Sequence, residues 1–205
     1  MHQEAITSKA REIFDNIRYF PLFYLAGGTG LALQLGHRIS IDFDFFWEKY
    51  IPKDLLPKVR KVFKNSKIEV VVNYSEQLTV AVSGINVSFC RYPFPVILKF
   101  ISYQGIKILP ALEVAAMKAY ALGRRAILKD YVDLYFILKE KICNLEEIIK
   151  ICQKKYGEDF DSRLFLEQLI FSKDIEEMEI QFLKEKVNKL EIEKFFEKEI
   201  KKMKI

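Results

Sequence analysis

A strand that breaks on two glycines, turns into a short helix and returns as a strand carrying two aspartates leaves few folds open. That order is written in Tyr24–Phe46, YLAGGTGLALQLGHRISIDFDFF. Aromatic and β-branched residues mark "FYLAG" and "ISIDFDFF" as strands. Between them "TGLALQLG" gives about two turns of helix, starting at Thr29 or Gly30 and capped by Gly36. Alternation in the second strand puts Ile41, Phe43 and Phe45 on one face and Asp42, Asp44 and Phe46 on the other. The first set makes a core face. The second sets two carboxylates ~7 Å apart at Cβ, given a rise of ~3.3 Å per residue. Left unpaired, each raises the pKa of the other. A divalent cation such as Mg²⁺ (or Mn²⁺) removes the conflict, taking oxygens from Asp42 and Asp44 and from substrate phosphates. Glycines at a strand-to-helix turn let backbone amides approach an anion, and the helix N-terminus favours negative charge. An anion cradle at Gly27, Gly28 and Thr29 beside a metal cradle at Asp42 and Asp44 suits a nucleoside triphosphate and its metal.

Other phosphate motifs fit less well. "GGTGLA" holds two of the three glycines of the dinucleotide fingerprint, and Asp42 comes too early to be its acidic residue. A P-loop needs Lys-Ser/Thr after the glycines. A purely structural reading, a tight turn followed by two solvent-facing edge aspartates, accounts for each half but not for their order. Composition removes further classes. His2 and His37 are the only histidines, which leaves little for a histidine metal site or a Ser-His-Asp triad. Cys90, Cys143 and Cys152 are odd in number and lack CxxC spacing, so they read as reduced, core or half-buried residues. No apolar run approaches the roughly 18–20 residues that span a bilayer, and no signal peptide opens the chain. The expected setting is the cytoplasm, with no membrane partner. A net charge of +5 permits a nucleic-acid partner without arguing for one.

Texture divides the 205 residues in two. After a helix from about Gln3 to Arg18, five short β-like runs lie between Pro21 and Lys107: "FYLAG", "ISIDFDFF", "KIEVVVNY", "QLTVAVS" and "INVSFCRY". A helical stretch, "IPKDLLPKVRKVFKN", separates the second from the third. From Pro110 onward every segment keeps the helical period, and the Lys/Glu-rich tail from Ser172 reads as a solvated helix face. The expected architecture is α+β: a domain over 1–107 with a small mixed sheet and helices on one face, then a helical domain over 108–205, with a ligand cleft between them. In "AAMKAYALGRRAILKDYVDLYFIL" one continuous helix would project Lys118, Arg125 and Lys129 from one face; alternatively Gly123 splits it in two. Asp130 and Asp133 stand i, i+3 on its second part. Taken alone, these charges read as a solvated face opposite Leu122, Ile127, Leu134 and Leu138.

The glycine–aspartate segment resembles the AbiEii/AbiGii-type toxin nucleotidyltransferases of the DNA-polymerase-β-like superfamily. Their hallmark is Gly-Gly/Ser, a spacer, then Asp-x-Asp or Asp-x-Glu. The form Gly-His-Arg-x-Ser-x-Asp-x-Asp-Phe-Phe, here Gly36 to Phe46, is more specific. A second family motif is matched by Lys118, Arg125, Lys129, Asp130, Asp133, Leu134 and Tyr135, and the resemblance covers roughly Tyr19 to Leu138. It implies a polymerase-β-like domain and metal-dependent transfer of a nucleoside monophosphate to an acceptor hydroxyl. tRNA is the favoured acceptor and a protein the alternative. It also implies a toxin of a toxin–antitoxin or phage-defence pair, with a cognate antitoxin. By the same resemblance Asp42 and Asp44 are catalytic metal ligands, and Lys118 meets the triphosphate. Asp130 or Asp133 completes the polar site or orients that lysine, and Arg38, Ser40, Arg125 and Lys129 join Gly27, Gly28 and Thr29 around the nucleotide. One position departs. Where the superfamily places a third carboxylate on a neighbouring strand, "GINVSFCRY" holds Ser88, a poor metal ligand and no base; Glu69 is the nearest strand acid. Ser88 motivates a second reading, a module that binds nucleotide without turnover. Protein NMPylation or small-molecule modification would keep the chemistry and change the acceptor.

Overall fold

The computed structural model describes residues 1–125, 127–170, 175 and 178–203. Seven strands form one mixed sheet in the order β3-β4-β5-β2-β1-β7-β6. They are β1 (Tyr24–Ala26), β2 (Phe43–Trp47), β3 (Ile68–Tyr74), β4 (Gln77–Val82), β5 (Ile85–Arg91), β6 (Ile101–Tyr103) and β7 (Ile106–Ile108). The β2–β5 and β1–β7 pairs are parallel and the others antiparallel. The helices are α1 (Ser8–Ile17), α2 (Gly27–Leu35), α3 (Leu55–Val62), α4 (Ala111–Leu122), α5 (Leu128–Lys139), α6 (Leu145–Tyr156), α7 (Ser162–Ile170) and α8 (Lys189–Lys202).

The α+β class and the mixed sheet agree with expectation, as does the split at Gly123, which ends α4. Several details differ. "ISY" and "IKI" make a hairpin whose second strand pairs with β1, although each run is too short to show a period. Strand β2 begins at Phe43, so Asp42 sits just before it, and Ile41 is 50% exposed instead of joining the core face. Helix α2 begins at Gly27 and takes both glycines into its first turn. Gly36 ends that helix in the left-handed region (φ +64°) as expected, its N–H donating to Ala32 O over 2.7 Å.

Helices lie on both sides of the sheet, not one. On one side α1 and α3 pack against Phe43, Phe45, Val87 and Phe89. On the other, Tyr24 and Ala26 join a core built with α4, α5, α6, α7 and α8. All three residues of β1 are buried because both faces are covered. Helix α2 bridges the two cores: Leu33 belongs to the first, Leu31 and Leu35 to the second. The expected boundary after residue 107 falls inside β7, and the second core runs across it.

A long return closes the molecule near the glycine turn. Ile39 N–H donates to Gln181 O (2.8 Å) and Leu183 N–H to His37 O (3.0 Å), around an antiparallel bridge between Arg38 and Phe182. Among the described residues, Cys90, Cys143 and Cys152 are free thiols, and no helix is long and apolar enough to cross a membrane.

Candidate active site

The glycines are required by close packing before any ligand is considered. Gly27 adopts φ +62°, a region that disfavours side chains, and a Cβ there would stand 2.9 Å from Asp44 Oδ2. A Cβ on Gly28 would stand 2.5 Å from Arg38 Nη2 and 3.4 Å from Ser40 Oγ. Thr29 is buried; its hydroxyl donates to the Asp42 carbonyl and lies 2.8 Å from Ser40 Oγ. Sequence places Thr29 among phosphate contacts, but its side chain braces the chain entering β2, leaving its backbone amide for an anion. The first turn of α2 has no side-chain cap, because Ala26 precedes it. Its amides are the unsatisfied donors that an anion completes.

Asp44 lies across from Ala26 in β1 and from Ser88 in β5. Asp42 is exposed and accepts the Asn86 N–H through Oδ1 (3.2 Å). Burial pushes the Asp44 carboxyl above its ordinary range, and the charge of Asp42 pushes the same way; Lys118 and Arg125 oppose them. For Asp44 burial is the larger cause, and repulsion by Asp42 adds to it. The donor set fits a hard divalent cation that takes two carboxylate oxygens and fills its remaining positions with water and phosphate oxygens. It does not make a closed protein cage: among the described residues no group of three or more His, Cys, Asp or Glu could hold a metal. Ser88 stands where sequence puts it, and Thr79 Oγ1 donates to its Oγ over 3.1 Å. Glu69 lies on β3, beyond β4, and pairs with Lys67, so it does not replace the missing acid.

Behind the carboxylates is a buried ionic network. Asp133 is fully enclosed. Arg38 grips it with two bonds, Nε to Oδ1 (2.7 Å) and Nη2 to Oδ2 (2.9 Å), and His37 Nε2 donates to Oδ1 (2.6 Å). Lys118 Nζ reaches Asp133 Oδ2 (2.6 Å) and Asp130 Oδ1 (2.7 Å), and Arg125 Nη2 stands 3.2 Å from Asp130 Oδ2. Burial alone would raise the Asp133 carboxyl; the charges of Arg38 and Lys118, with hydrogen bonds from His37 and Arg38, hold it well below the usual carboxylate range. Burial likewise works against the Lys118 ammonium, but Asp133 and Asp130 outweigh it and keep the pKa raised.

A cleft of about 430 Å³ brings most of the expected residues together: Gly28, Thr29, Arg38, Ser40, Asp42, Asp44, Lys118, Arg125, Lys129 and Asp130. Gly27 is not among the lining residues, although a side chain there would meet Asp44, and Asp133 lies behind the cleft, holding Lys118 and Arg38. Lys118, Asp130 and Asp133 are therefore buried and not part of the solvated face that spacing alone suggests, whereas Arg125 and Lys129 are exposed. His37 stands in the family motif but carries no role there, and nothing in the sequence points to Asn86 or to the apolar wall made by Ile39, Ile41, Ile127 and the return through Met178 and Ile180. A neighbouring cavity of about 510 Å³ across that return, lined by Leu128, Val132, Lys184 and Lys186 among others, contains none of the aspartates.

The chain matches the family described as "Nucleotidyl transferase AbiEii toxin, Type IV TA system" over residues 11–204. It is 32% identical over 181 residues to an uncharacterised protein of Aquifex aeolicus (strain VF5), covering 87% of this chain and 86% of the relative. Among solved structures, JHP933 from Helicobacter pylori has a TM-score of 0.53 at 18% identity, covering 96% of this chain and 97% of that one. The nucleotidyltransferase toxin MenT4 of Mycobacterium tuberculosis H37Rv has a TM-score of 0.50 at 19% identity, covering 76% and 66%. At these identities the structural likenesses speak for the fold.

Proposed function

The chain belongs to the AbiEii family of nucleotidyltransferase toxins, and from that premise we propose that it transfers a nucleoside monophosphate from a triphosphate to a tRNA hydroxyl in the cytoplasm. The observation that carries this reading is the opening of Asp42, Asp44 and Lys118 onto one cleft beside the uncapped first turn of α2.

The amides of Gly27, Gly28 and Thr29 hold phosphate oxygens at that turn. Lys118 has three N–H groups; Asp130 and Asp133 accept two, leaving one for the triphosphate. Arg38 spends Nε and an Nη2 proton on Asp133 and an Nη1 proton on Ile39 O, so its first duty is to fix the loop, with the remaining N–H groups facing the phosphate side. Arg125 and Lys129 stand at the mouth of the cleft as further counter-charges, and Ser40 lines it. Mg²⁺ or Mn²⁺ held by Asp42 and Asp44 would neutralise charge on the phosphates. The acceptor oxygen attacks the α-phosphorus and pyrophosphate leaves, Lys118 and Arg125 stabilising the charge that shifts onto it. A cognate antitoxin is the expected partner. Ser88 favours one rival, a domain that binds nucleotide without transfer.

Incubation with each of four α-labelled NTPs, Mg²⁺ or Mn²⁺, and either total tRNA or lysate separates these readings. Label enters tRNA with the native chain and is absent with Asp42→Ala/Asp44→Ala. Label confined to a protein band would identify an NMPylating enzyme. Nucleotide binding with no transfer under every condition would sink the catalytic reading.

A further inference from the structure

Tyr24 opens β1 and Trp47 closes β2, so both stand at the strand ends remote from Gly27 and Asp42. Beside them is a cavity of about 380 Å³, within the span of about 300–1,000 Å³ usual for small-molecule pockets. Its lining is aromatic: Tyr24, Trp47, Phe94 and Phe100, the Phe100 ring lying 5.1 Å from that of Tyr24. Two opposite, exposed charges complete it, Glu48 just past β2 and Lys107 on β7. Because the strands run β2-β1-β7, the two flank Tyr24. Lys107 Nζ lies 6.0 Å from the Phe100 centroid and donates to Pro21 O (3.0 Å), which leaves two of its N–H groups. Glu48 has no hydrogen bond or ion pair among the described residues.

Two further features serve no purpose in packing alone. Tyr24 is 5% exposed, yet its hydroxyl, shut from solvent, has no hydrogen-bond partner among the described residues. Phenylalanine would fill the same space without leaving a polar atom unsatisfied. Burial raises the pKa of this phenol, and the charges of Tyr92, Glu113 and Glu48 add to the effect, so it stays protonated and able to donate. Phe100, 36% exposed beside it, has room to turn and admit a polar atom. The second feature is the loop after β5. Glu113 accepts the N–H groups of Ile97 (3.0 Å) and Leu98 (2.8 Å), while Lys155 Nζ donates to Pro95 O (2.6 Å) and to Glu113 Oε1 (2.7 Å). Both side chains are fully buried, a placement that desolvation opposes. What the pair secures is the cavity wall from Phe94 to Val96, held in place before any ligand arrives.

We infer that this cavity is a second ligand site, and that it takes a free aromatic amino acid. The ligand's ring lies among Trp47, Phe94 and Phe100, where offset and edge-on contacts are favourable. Its ammonium meets Glu48 and the negative faces of the aromatic rings, and its carboxylate meets Lys107. The Tyr24 hydroxyl donates to a polar atom on the ring. A zwitterion uses both rim charges; an apolar side chain from another protein uses neither. A nucleotide is a poor match, because its phosphates would meet Glu48 with only Lys107 to answer them among the described lining residues.

The test titrates the full chain with L-tyrosine and reads the fluorescence of Trp47, the only tryptophan, under excitation selective for it. Tyramine, which lacks the carboxylate, and 3-(4-hydroxyphenyl)propionate, which lacks the ammonium, are titrated beside it. L-tyrosine gives a saturable change and binds about threefold tighter than either, the worth of one exposed ion pair. Glu48→Gln removes its advantage over 3-(4-hydroxyphenyl)propionate, and Lys107→Gln removes its advantage over tyramine. Tyr24→Phe weakens L-tyrosine about fivefold, while the melting temperature of the empty chain does not fall, as it would if the hydroxyl served the fold. No saturable response of Trp47 to L-tyrosine, or equal affinity for the three ligands, overturns the assignment. So does a charge advantage that survives Glu48→Gln and Lys107→Gln. Neither NTP nor transfer enters the measurement, so its outcome is separate from that of the proposed reaction.

Discussion

At the scale of single residues, Asp133 carries the greatest electrostatic load. Its two oxygens take Arg38, His37 and Lys118 in a site closed to water. Removing one member of such a group leaves uncompensated buried charge, a cost of about 3–5 kcal/mol. Asp133→Ala therefore loses stability on that order in urea unfolding, and loses transfer because Lys118 is no longer aimed. The pH dependence has a definite sign. A carboxyl held below its unfolded value, ~3.9, adds stability above that value, which disappears as pH falls through its folded pKa. Native stability should drop on acidification below about pH 4, and Asp133→Asn should flatten that limb. Asp44 has the opposite sign: its raised pKa favours the fold while it is protonated, and that contribution fades as pH rises through the folded value. Gly28→Ala is a third residue-scale case. The added methyl meets Arg38 Nη2 at 2.5 Å and must displace it. A destabilisation of about 1–3 kcal/mol, with weaker NTP binding by calorimetry, is expected.

At the scale of elements, the cleft wall depends on the return segment beside His37–Ile39. Leu183→Pro deletes the shorter of the two N–H donors to His37 O, leaving that of Lys184 at 3.4 Å. One lost hydrogen bond, about 1 kcal/mol, should lower NTP affinity several-fold and speed amide exchange at Ile39. Distance along the chain decides what sequence could disclose here. Gly27, Gly28, Asp42 and Asp44 were legible because turn chemistry and strand alternation act over a few neighbours. The Arg38–Asp133 grip joins positions 95 apart, and nothing local distinguishes a helix charge that faces water from one that meets a partner folded back from elsewhere. Asp130 and Asp133 could be named by motif resemblance, yet only the fold shows that Asp133 lies behind the lysine and not in the cleft. The β6–β7 hairpin escaped notice for a simpler reason: three residues per strand give no periodicity to read.

At the scale of the whole molecule, the sheet and the helical half share one core. Tyr24, Ala26, Leu31 and Leu35 pack with α4 and α5, so separating the halves would expose them. Heat or denaturant should give one cooperative transition, coincident by far-UV circular dichroism and Trp47 fluorescence; a fragment of residues 1–108 should not fold alone. The return segment has a further consequence, one of timing. A chain is made from its N-terminus, so His37–Ile39, both aspartates and Lys118 leave the ribosome well before Gln181 and Leu183 arrive to pair with them. The nascent polypeptide thus holds its chemistry in an unfinished cleft until the last part of translation, and a toxin built this way is withheld from its cell for as long as it is being made.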